Sequence, residues 1–416
     1  MILENGGYPE DTRVLLEAVA LTQAGHQVSV ICPGGWKHKM WRETIDGVRV
    51  YRYPPPADGG GLIGYIWEFS YSLAMALVIS TFIWIRRGFD VIHIHMPPDL
   101  NGLLGVFYKL LGKKFVMDHH DLSPELYQAQ GRENAFLYRL LLRFERISCR
   151  WADRLISTNA TQRQTQISRG GAAEENCVIV RNGPADFFLQ EHRPIQYEGQ
   201  GNRTIIGFLG GMSEQDGVDS LIRAFHCLKI ELGRSDFLGV MVGTGRSVAA
   251  LKELVHELGL EDHVVFTGLV PFESVPSYIA GFDICATPDP SNPYCDSCTT
   301  IKTMEYMAMG KPTVAFDTVE NRITAMDAAL YAQDNDERAF AEALVKLMDD
   351  ADLRRSLGRV GRQRIDASLS WKHQREQLLA VYRSLDQADG LQDRGPDAAT
   401  TLRTTDVEAR CYSGSK

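Results

Sequence analysis

What most constrains this chain is an alternation, repeated along nearly its whole length, of short β-rich runs with longer helical stretches. In the first half the runs are QVSVIC (27–32), VRVYRY (48–53), DVIHIH (90–95), KKFVMD (113–118), DRLIST (153–158) and CVIVR (177–181). Near-continuous apolar runs of this kind suit parallel strands buried on both faces, and parallel strands need crossover helices between them. After a polar stretch, QEHRPIQYEGQGNR (190–203), the alternation restarts with TIIGFLG (204–210), FLGVMVGTG (237–245), VVFTG (264–268), FDICAT (282–287) and TVAFD (313–317). The expected fold class is therefore α/β: two Rossmann-like, doubly wound domains facing each other across a cleft. The expected bounds are 1–189 for the N-terminal domain, 190–203 for a linker and 204–368 for the C-terminal domain. Residues 369–385 read as a closing helix that packs back toward the N-terminal domain, and 386–416 as a polar, disordered tail. A length of 416 residues with 44% hydrophobic content matches two cores rather than one.

A formal net charge of −9 argues against a nucleic-acid partner, whose phosphates would have to be neutralised. The eight cysteines are scattered, as in a reduced compartment, and no disulfide is expected. Cys295 and Cys298 form a C-x-x-C, but no second pair lies at zinc-site spacing, so no metal site is expected. The opening MILENGG lacks the basic and apolar regions of a secretory signal, which points to a cytoplasmic protein. Met1–Leu3 is also short for a first strand, and a start further upstream is expected.

Leu62–Ile85 is strongly apolar, yet the uninterrupted part from Ser70 falls short of the roughly 20 residues a bilayer core requires. A buried or interfacial helix is expected there. Arg139, Arg143, Arg146 and Arg150 recur at helical spacing opposite Leu140, Phe144, Ile147 and Trp151. A solvated face is the plain reading of that stripe; contact with an anionic membrane surface or a lipid-phosphate acceptor is the sharper one.

CDSCTTIKTMEYMAMGKPTVAFD (295–317) sets a short helix before an apolar strand. Its spacing places Lys302 and Glu305 on one face and predicts Ile301, Met304 and Ala308 toward a core. A surface ion pair is the plain reading. A cation beside a helix N-terminus, forming an anion site, is the functional one. His120, followed by Asp121 directly after a buried run, is a site candidate. His93 and His95 alternate along a strand, so one is expected to enter the core, with His95 alone a cleft candidate; His119 reads as structural.

Taken in order, GHQVSVICP, DVIHIHMPPDL, DHHDLSPELY, VRNGP, GVDSLIRA, VGTG, VVFTG and IKTMEYMAMGKPTVAFD resemble the bacterial family 4 of retaining glycosyltransferases, which have the GT-B fold. The resemblance covers about residues 5–385 and is strongest to the branch that builds surface polysaccharides. It implies transfer of a hexosyl or N-acetylhexosaminyl group from a UDP- or GDP-sugar to a glycan or polyprenyl-linked acceptor. No cofactor or metal is implied, and the enzyme would work peripherally at the inner face of the cell membrane.

By the same resemblance, His120 would bond a hydroxyl of the reacting sugar, Asp296 would face the donor sugar, and Glu305 would hold the ribose hydroxyls. Gly6 and Gly7 would rest against the diphosphate; apart from the resemblance, the glycines Gly210, Gly211 and Gly243 in loops after strands let backbone N–H groups approach an anion closely. The backbone of Gly268, Leu269 and Val270 would read the base. Ser297 stands where the first glutamate of the family's E-x7-E pattern belongs. Gly211 and Asp216 replace an arginine and a lysine that many members use on the diphosphate. That departure leaves Lys302, with the amides of Cys298, Thr299 and Thr300, to meet the leaving group's charge. A nucleotide-sugar 2-epimerase of the same architecture and a non-catalytic nucleotide- or lipid-binding partner are the rival readings.

Overall fold

The computed structural model describes residues 1–35, 40–56 and 61–388, so the expected tail lies, from residue 389, outside the described residues. The chain divides into two compact units, Met1–Asn182 together with the chain from Gln374, and Gly183–His373.

In the first unit, residues 1–3 are hydrogen-bonded on both sides. The Leu3 N–H donates to Ile31 O at 2.9 Å, and the His95 N–H donates to Ile2 O at 3.0 Å. They thereby join two groups of strands into the order Arg42–Ile45, Val48–Tyr53, Ser29–Pro33, residues 1–3, Val91–Met96, Lys114–His119, Arg154–Ser157 and Cys177–Ile179. Among these, the edge strand Arg42–Ile45 is antiparallel to its neighbour. It is turned back by Asp46 and Gly47 at φ 48° and 81°, the positive values a tight hairpin demands. The first helix, Thr12–Gln23, is capped by Asp11, whose carboxylate accepts the Val14 N–H at 3.0 Å.

The apolar segment 62–85 lies within the helix Gly61–Arg87. Ala76, Ile79 and Ile83 on one side of it join Ile2, Ile31 and Tyr51 in the unit's core. Ile66, Trp67, Leu77, Val78, Phe82 and Ile85 on the opposite side are exposed. By length and composition its stretch Ile66–Arg87 could cross a membrane, but with 28% of that stretch buried it is anchored to the unit along one side. The helix is thus not sealed in a core on all sides.

The second unit is a six-stranded parallel sheet in the order Val264–Gly268, Phe237–Val242, Thr204–Leu209, Ile284–Thr287, Thr313–Phe316 and Ala329–Ala332. Ile206 and Phe208 pack into one core and Ile205 and Leu209 into another, so the strand alternates between two buried faces. The order reverses where Thr204–Leu209 lies beside Ile284–Thr287, and loops leaving such a switch point line ligand sites.

The units divide at Asn182 and Gly183, ahead of the polar stretch 190–203. Tyr197 of that stretch is buried in the second unit, its ring stacked on Phe282 and its hydroxyl donating to Tyr278 O at 2.7 Å. The last helix, Trp371–Ala388, begins in the second unit and from Gln374 belongs to the first. There Tyr382 Oη lies 2.9 Å from His93 Nδ1, and Ser384 Oγ accepts from Arg154 Nε at 2.9 Å.

Candidate active site

At the switch point of the second unit, the helix Ile301–Ala308 follows the loop that leaves the strand Ile284–Thr287. Thr300 precedes the helix without a side-chain cap bond, so its first-turn N–H groups keep their positive end unanswered by that side chain. Lys302 and Glu305 are buried, which removes the surface-pair reading. The Lys302 ammonium donates to Asp289 Oδ1 at 2.9 Å and stands 4.9 Å from the Phe208 ring centroid. Burial pushes the Glu305 carboxyl up to about 7, with Lys302 pulling the other way. Burial likewise raises the Asp289 carboxyl against the pull of Lys302. Met304 and Ala308 enter the core as the spacing predicts, but Ile301, the first residue of the helix, is 44% exposed.

Glycines shape the floor. A side chain at Gly243, φ 131°, would put its Cβ 2.0 Å from Gly210 O, so two strand-end loops touch backbone to backbone. Gly210 also lies against Lys302, its notional Cβ 3.9 Å from the lysine Cδ. Gly211 is exposed, and Asp216 beside it accepts the Ser213 N–H at 2.9 Å. That carboxylate thus caps its own turn. Gly268, φ 75°, accepts the Gly243 N–H through its carbonyl at 3.1 Å, while Val270 is half-buried in the adjoining core.

The remaining donor candidates line the loop before the helix. Ser297 is buried and its hydroxyl donates to Tyr294 O at 2.7 Å. Asp296 is half-buried, accepts from Ser291 Oγ at 3.2 Å through both oxygens, and is raised by burial. Thr299 Oγ1 donates to Glu320 at 3.0 Å, and Thr300 Oγ1 meets Thr303 Oγ1 at 2.8 Å. The Cys298 N–H donates to Cys295 O at 3.1 Å, which corrects its assignment as a free amide for an anion: the turn Cys295–Ser297 uses it. Burial pushes the Cys295 thiol up to about 12, and its sulfur donates to Gln215 O at 3.4 Å.

In the first unit, Gly6 and Gly7 follow residues 1–3, and Asn5 Nδ2 donates to Pro97 O at 3.0 Å across the adjacent strand end. His93 and His95 do not divide between faces. Residues two apart on a strand point the same way, and their rings stack at 4.5 Å, both buried. His95 Nδ1 lies 3.0 Å from His120 Nε2, and Asp118 Oδ2 lies 3.3 Å and 3.4 Å from those two nitrogens. His95 is therefore a buried support for the half-buried His120. Burial and the neighbouring His93 hold it well below the usual imidazole range, hence neutral.

Burial works against the charge of Asp118, but the Arg13 guanidinium, donating from Nε at 3.0 Å and Nη2 at 2.8 Å, holds the carboxyl well below its ordinary value. Glu17, 3.2 Å from the same guanidinium, is raised far above its own by burial and by Asp118. Sequence reading missed Arg13, Glu17, Asp118 and Asp289. The legible signal was a charged pair four residues apart on a helix that is otherwise apolar.

Arg139, Arg143, Arg146 and Arg150 are all exposed on the helix Ala135–Trp151. The opposite face is not the expected core: Leu140, Phe144 and Ile147 are half-buried and Trp151 is exposed, while Glu145, Ser148 and Cys149 are the fully buried positions.

Residues 10–183 match the family described as "Glycosyl transferase 4-like domain", and residues 203–350 match "Glycosyl transferases group 1". A 2-deoxystreptamine N-acetyl-D-glucosaminyltransferase of Streptomyces fradiae is 24% identical over 356 residues, 79% of this chain and 82% of its own. Among solved structures, sucrose-phosphate synthase from Thermosynechococcus elongatus aligns with a TM-score of 0.74 at 20% identity, over 93% of this chain and 96% of its own. HepE of Anabaena, solved with UDP-glucose, aligns at 0.69 and 17%, over 92% and 98%. With both halves matched in order and the doubly wound sheets in place, the chain belongs to the family 4 glycosyltransferases and has their GT-B fold.

Proposed function

We propose that the chain moves a hexosyl or N-acetylhexosaminyl group, with retained anomeric configuration, from a UDP- or GDP-sugar to a lipid-linked or growing glycan during surface polysaccharide synthesis. The observation that carries this reading is the burial of Lys302 and Glu305 together at the switch point, against the glycine loop at 210. A lysine and a glutamate have little reason to be interior, one turn apart, unless each serves a ligand. Glu305, an acceptor when ionised, suits the two hydroxyls of a ribose. Lys302 and the first-turn N–H groups suit the diphosphate, for which Asp289 is the resident stand-in.

As the glycosidic bond breaks, charge gathers on the leaving phosphate oxygen, where the ammonium and the helix N–H groups lower its energy. The acceptor hydroxyl attacks from that same face and gives its proton to that oxygen, so no protein nucleophile is assigned. His120 would bond a hydroxyl of the transferred sugar, with Asp296 on the donor sugar and Gly6 and Gly7 beside the diphosphate.

The exposed side of the helix Gly61–Arg87 supports a membrane-bound acceptor. Trp67 is 55% exposed, Val78 63% and Ile85 77%, the Trp41 ring lies 6.0 Å from Phe82, and Arg86 and Arg87 end the helix. Trp and aliphatic side chains flanked by arginines match the interface of an anionic bilayer. A small soluble polyol acceptor is the second reading, favoured by the 2-deoxystreptamine that the Streptomyces relative's name specifies.

A panel of UDP- and GDP-sugars, scored by thermal shift and by nucleotide release with and without lipid-linked acceptor, tests the proposal. One donor should stabilise the protein and release nucleotide when acceptor is added. Donor conversion without acceptor would instead mark an epimerase, and binding without turnover a non-catalytic partner.

A further inference from the structure

A second polar cluster lies in the first unit, apart from the residues assigned above, and several of its buried polar atoms make no hydrogen bond. Asp99 stands in the turn after the strand Val91–Met96, His119 ends the strand Lys114–His119, and Glu145 lies on the helix Ala135–Trp151. All three are fully buried. His119 Nε2 is 3.5 Å from Asp99 Oδ1, and one ligand atom from each of the three residues falls within 4.8 Å of the others. Neither carboxylate oxygen of Asp99 and neither ring nitrogen of His119 makes a hydrogen bond. Ser148, three residues beyond Glu145 on the same helix, is also buried with its hydroxyl unpaired.

Such groups are normally satisfied, because an unpaired buried carboxylate is among the costliest arrangements in a folded chain. Arg169 answers Glu145, donating to both its oxygens at 2.8 Å and 2.6 Å, but it also serves Glu125. Arg169 thus serves two carboxylates and does not reach Asp99, whose nearest charged neighbour is the His119 ring. The cluster of Glu17, His93, His95 and Asp118 differs, since there the Arg13 guanidinium reaches both carboxylates.

We propose that Asp99, His119 and Glu145 form a site for a divalent first-row cation, with zinc the best match. Two carboxylates and one imidazole, with a hydroxyl or water completing the shell, are a mixed oxygen and nitrogen donor set that zinc and manganese accept. The observed 3.5 Å between His119 Nε2 and Asp99 Oδ1 matches the edge of about 3.4 Å between ligands each about 2.1 Å from a tetrahedral ion. Glu145 would bind through the lone pairs that Arg169 leaves, and the guanidinium would hold its carboxylate in place, as outer partners of metal ligands do. The role is structural. The ion fixes the end of the strand that carries His120 as its next residue, and it takes no part in sugar transfer.

The test uses the full chain, stripped with EDTA, desalted, and then given zinc sulfate or manganese sulfate alone. About one equivalent of zinc should survive a second desalting, with a melting temperature higher by about 5 °C or more. Asp99→Asn and His119→Gln, each checked for a cooperative melt, should lower the retained zinc about tenfold or more. X-ray absorption at the zinc edge needs no variant and should report nitrogen and oxygen neighbours. A wild-type chain that keeps no zinc and melts unchanged overturns the site. So does a sulfur shell, which would place the ion on cysteine, or retention that neither substitution lowers.

Discussion

The ammonium of Lys302 is paired with Asp289, thirteen residues earlier, at 2.9 Å, and not with Glu305 on its own helix face. An interior lysine with an interior counter-ion is a charge held ready. A diphosphate can take the place of the aspartate without the site having to create a cation, and the displaced carboxyl, already raised by burial, can accept a proton.

Removing that charge should cost turnover and stability by separable routes. Lys302→Ala is expected to lower the transfer rate by about 10²–10³. It should also destabilise the protein by about 3–5 kcal/mol, because Asp289 is left buried without its counter-ion. Adding Asp289→Asn should restore most of the stability in urea melts but none of the rate. Near-normal transfer by the single variant would end the assignment.

Glu305 should make donor binding depend on pH. The ionised form is the one that accepts from a diol, so affinity for the preferred nucleotide should climb between pH 6 and 8 and then level off, following a carboxyl near 7. Stability of the unliganded protein runs the other way. A carboxyl raised on folding binds its proton more tightly in the native state, so its contribution is full below the unfolded value of 4.5 and is lost as pH rises through about 7. The loss is at most roughly 3 kcal/mol. Glu305→Gln should flatten both curves; calorimetric titration and denaturant melts at pH 5.5 and 8 would show whether it does.

Gly243→Ala forces a Cβ to within 2.0 Å of Gly210 O at a φ of 131°. The expected loss is about 2 kcal/mol or more, since both partners are backbone and neither can rotate away. Because the loop at 210 lies against Lys302, nucleotide affinity should fall as well. Gly233→Ala, with nothing within 4 Å of its Cβ, is the comparison: its φ of 65° brings backbone strain but no clash, and nucleotide affinity should hold in titrations.

Val78→Glu combined with Ile85→Glu should abolish flotation on anionic liposomes while changing stability by no more than about 0.5 kcal/mol per site, as befits exposed positions. Glutamate at the four arginines of the 139–150 stripe is expected to weaken flotation in a salt-dependent way. Indifference to both sets would leave the soluble-acceptor reading in place.

The sequence pattern announced most strands, because parallel strands buried on two faces leave unbroken apolar runs. It did not announce Arg42–Ile45, a polar edge strand whose one signal was the Asp46-Gly47 turn, or Ala329–Ala332, too short to stand out. Lys302 and Glu305 were legible because helical spacing and a strong motif converge on them. Asp289 was not, since a loop rich in proline and asparagine carries no periodicity. Arg13 and Glu17 were visible as charges on an apolar helix, but their meeting with Asp118 spans 105 residues, and separation of that order is set by topology alone. His93 and His95 were misplaced by a simple slip: alternation in sequence letters is not alternation of faces when the two residues lie two apart.

Because the helix Trp371–Ala388 leaves the second unit and supplies Tyr382 and Ser384 to the first, the first half of this enzyme is not a single stretch of chain. Cutting the gene once, after Asn182, would yield an amino-terminal fragment whose His93 lacks its phenolic partner. Dissecting the protein for separate study therefore calls for a graft: residues 1–182 joined by a short spacer to 374–388, with 183–373 expressed alone.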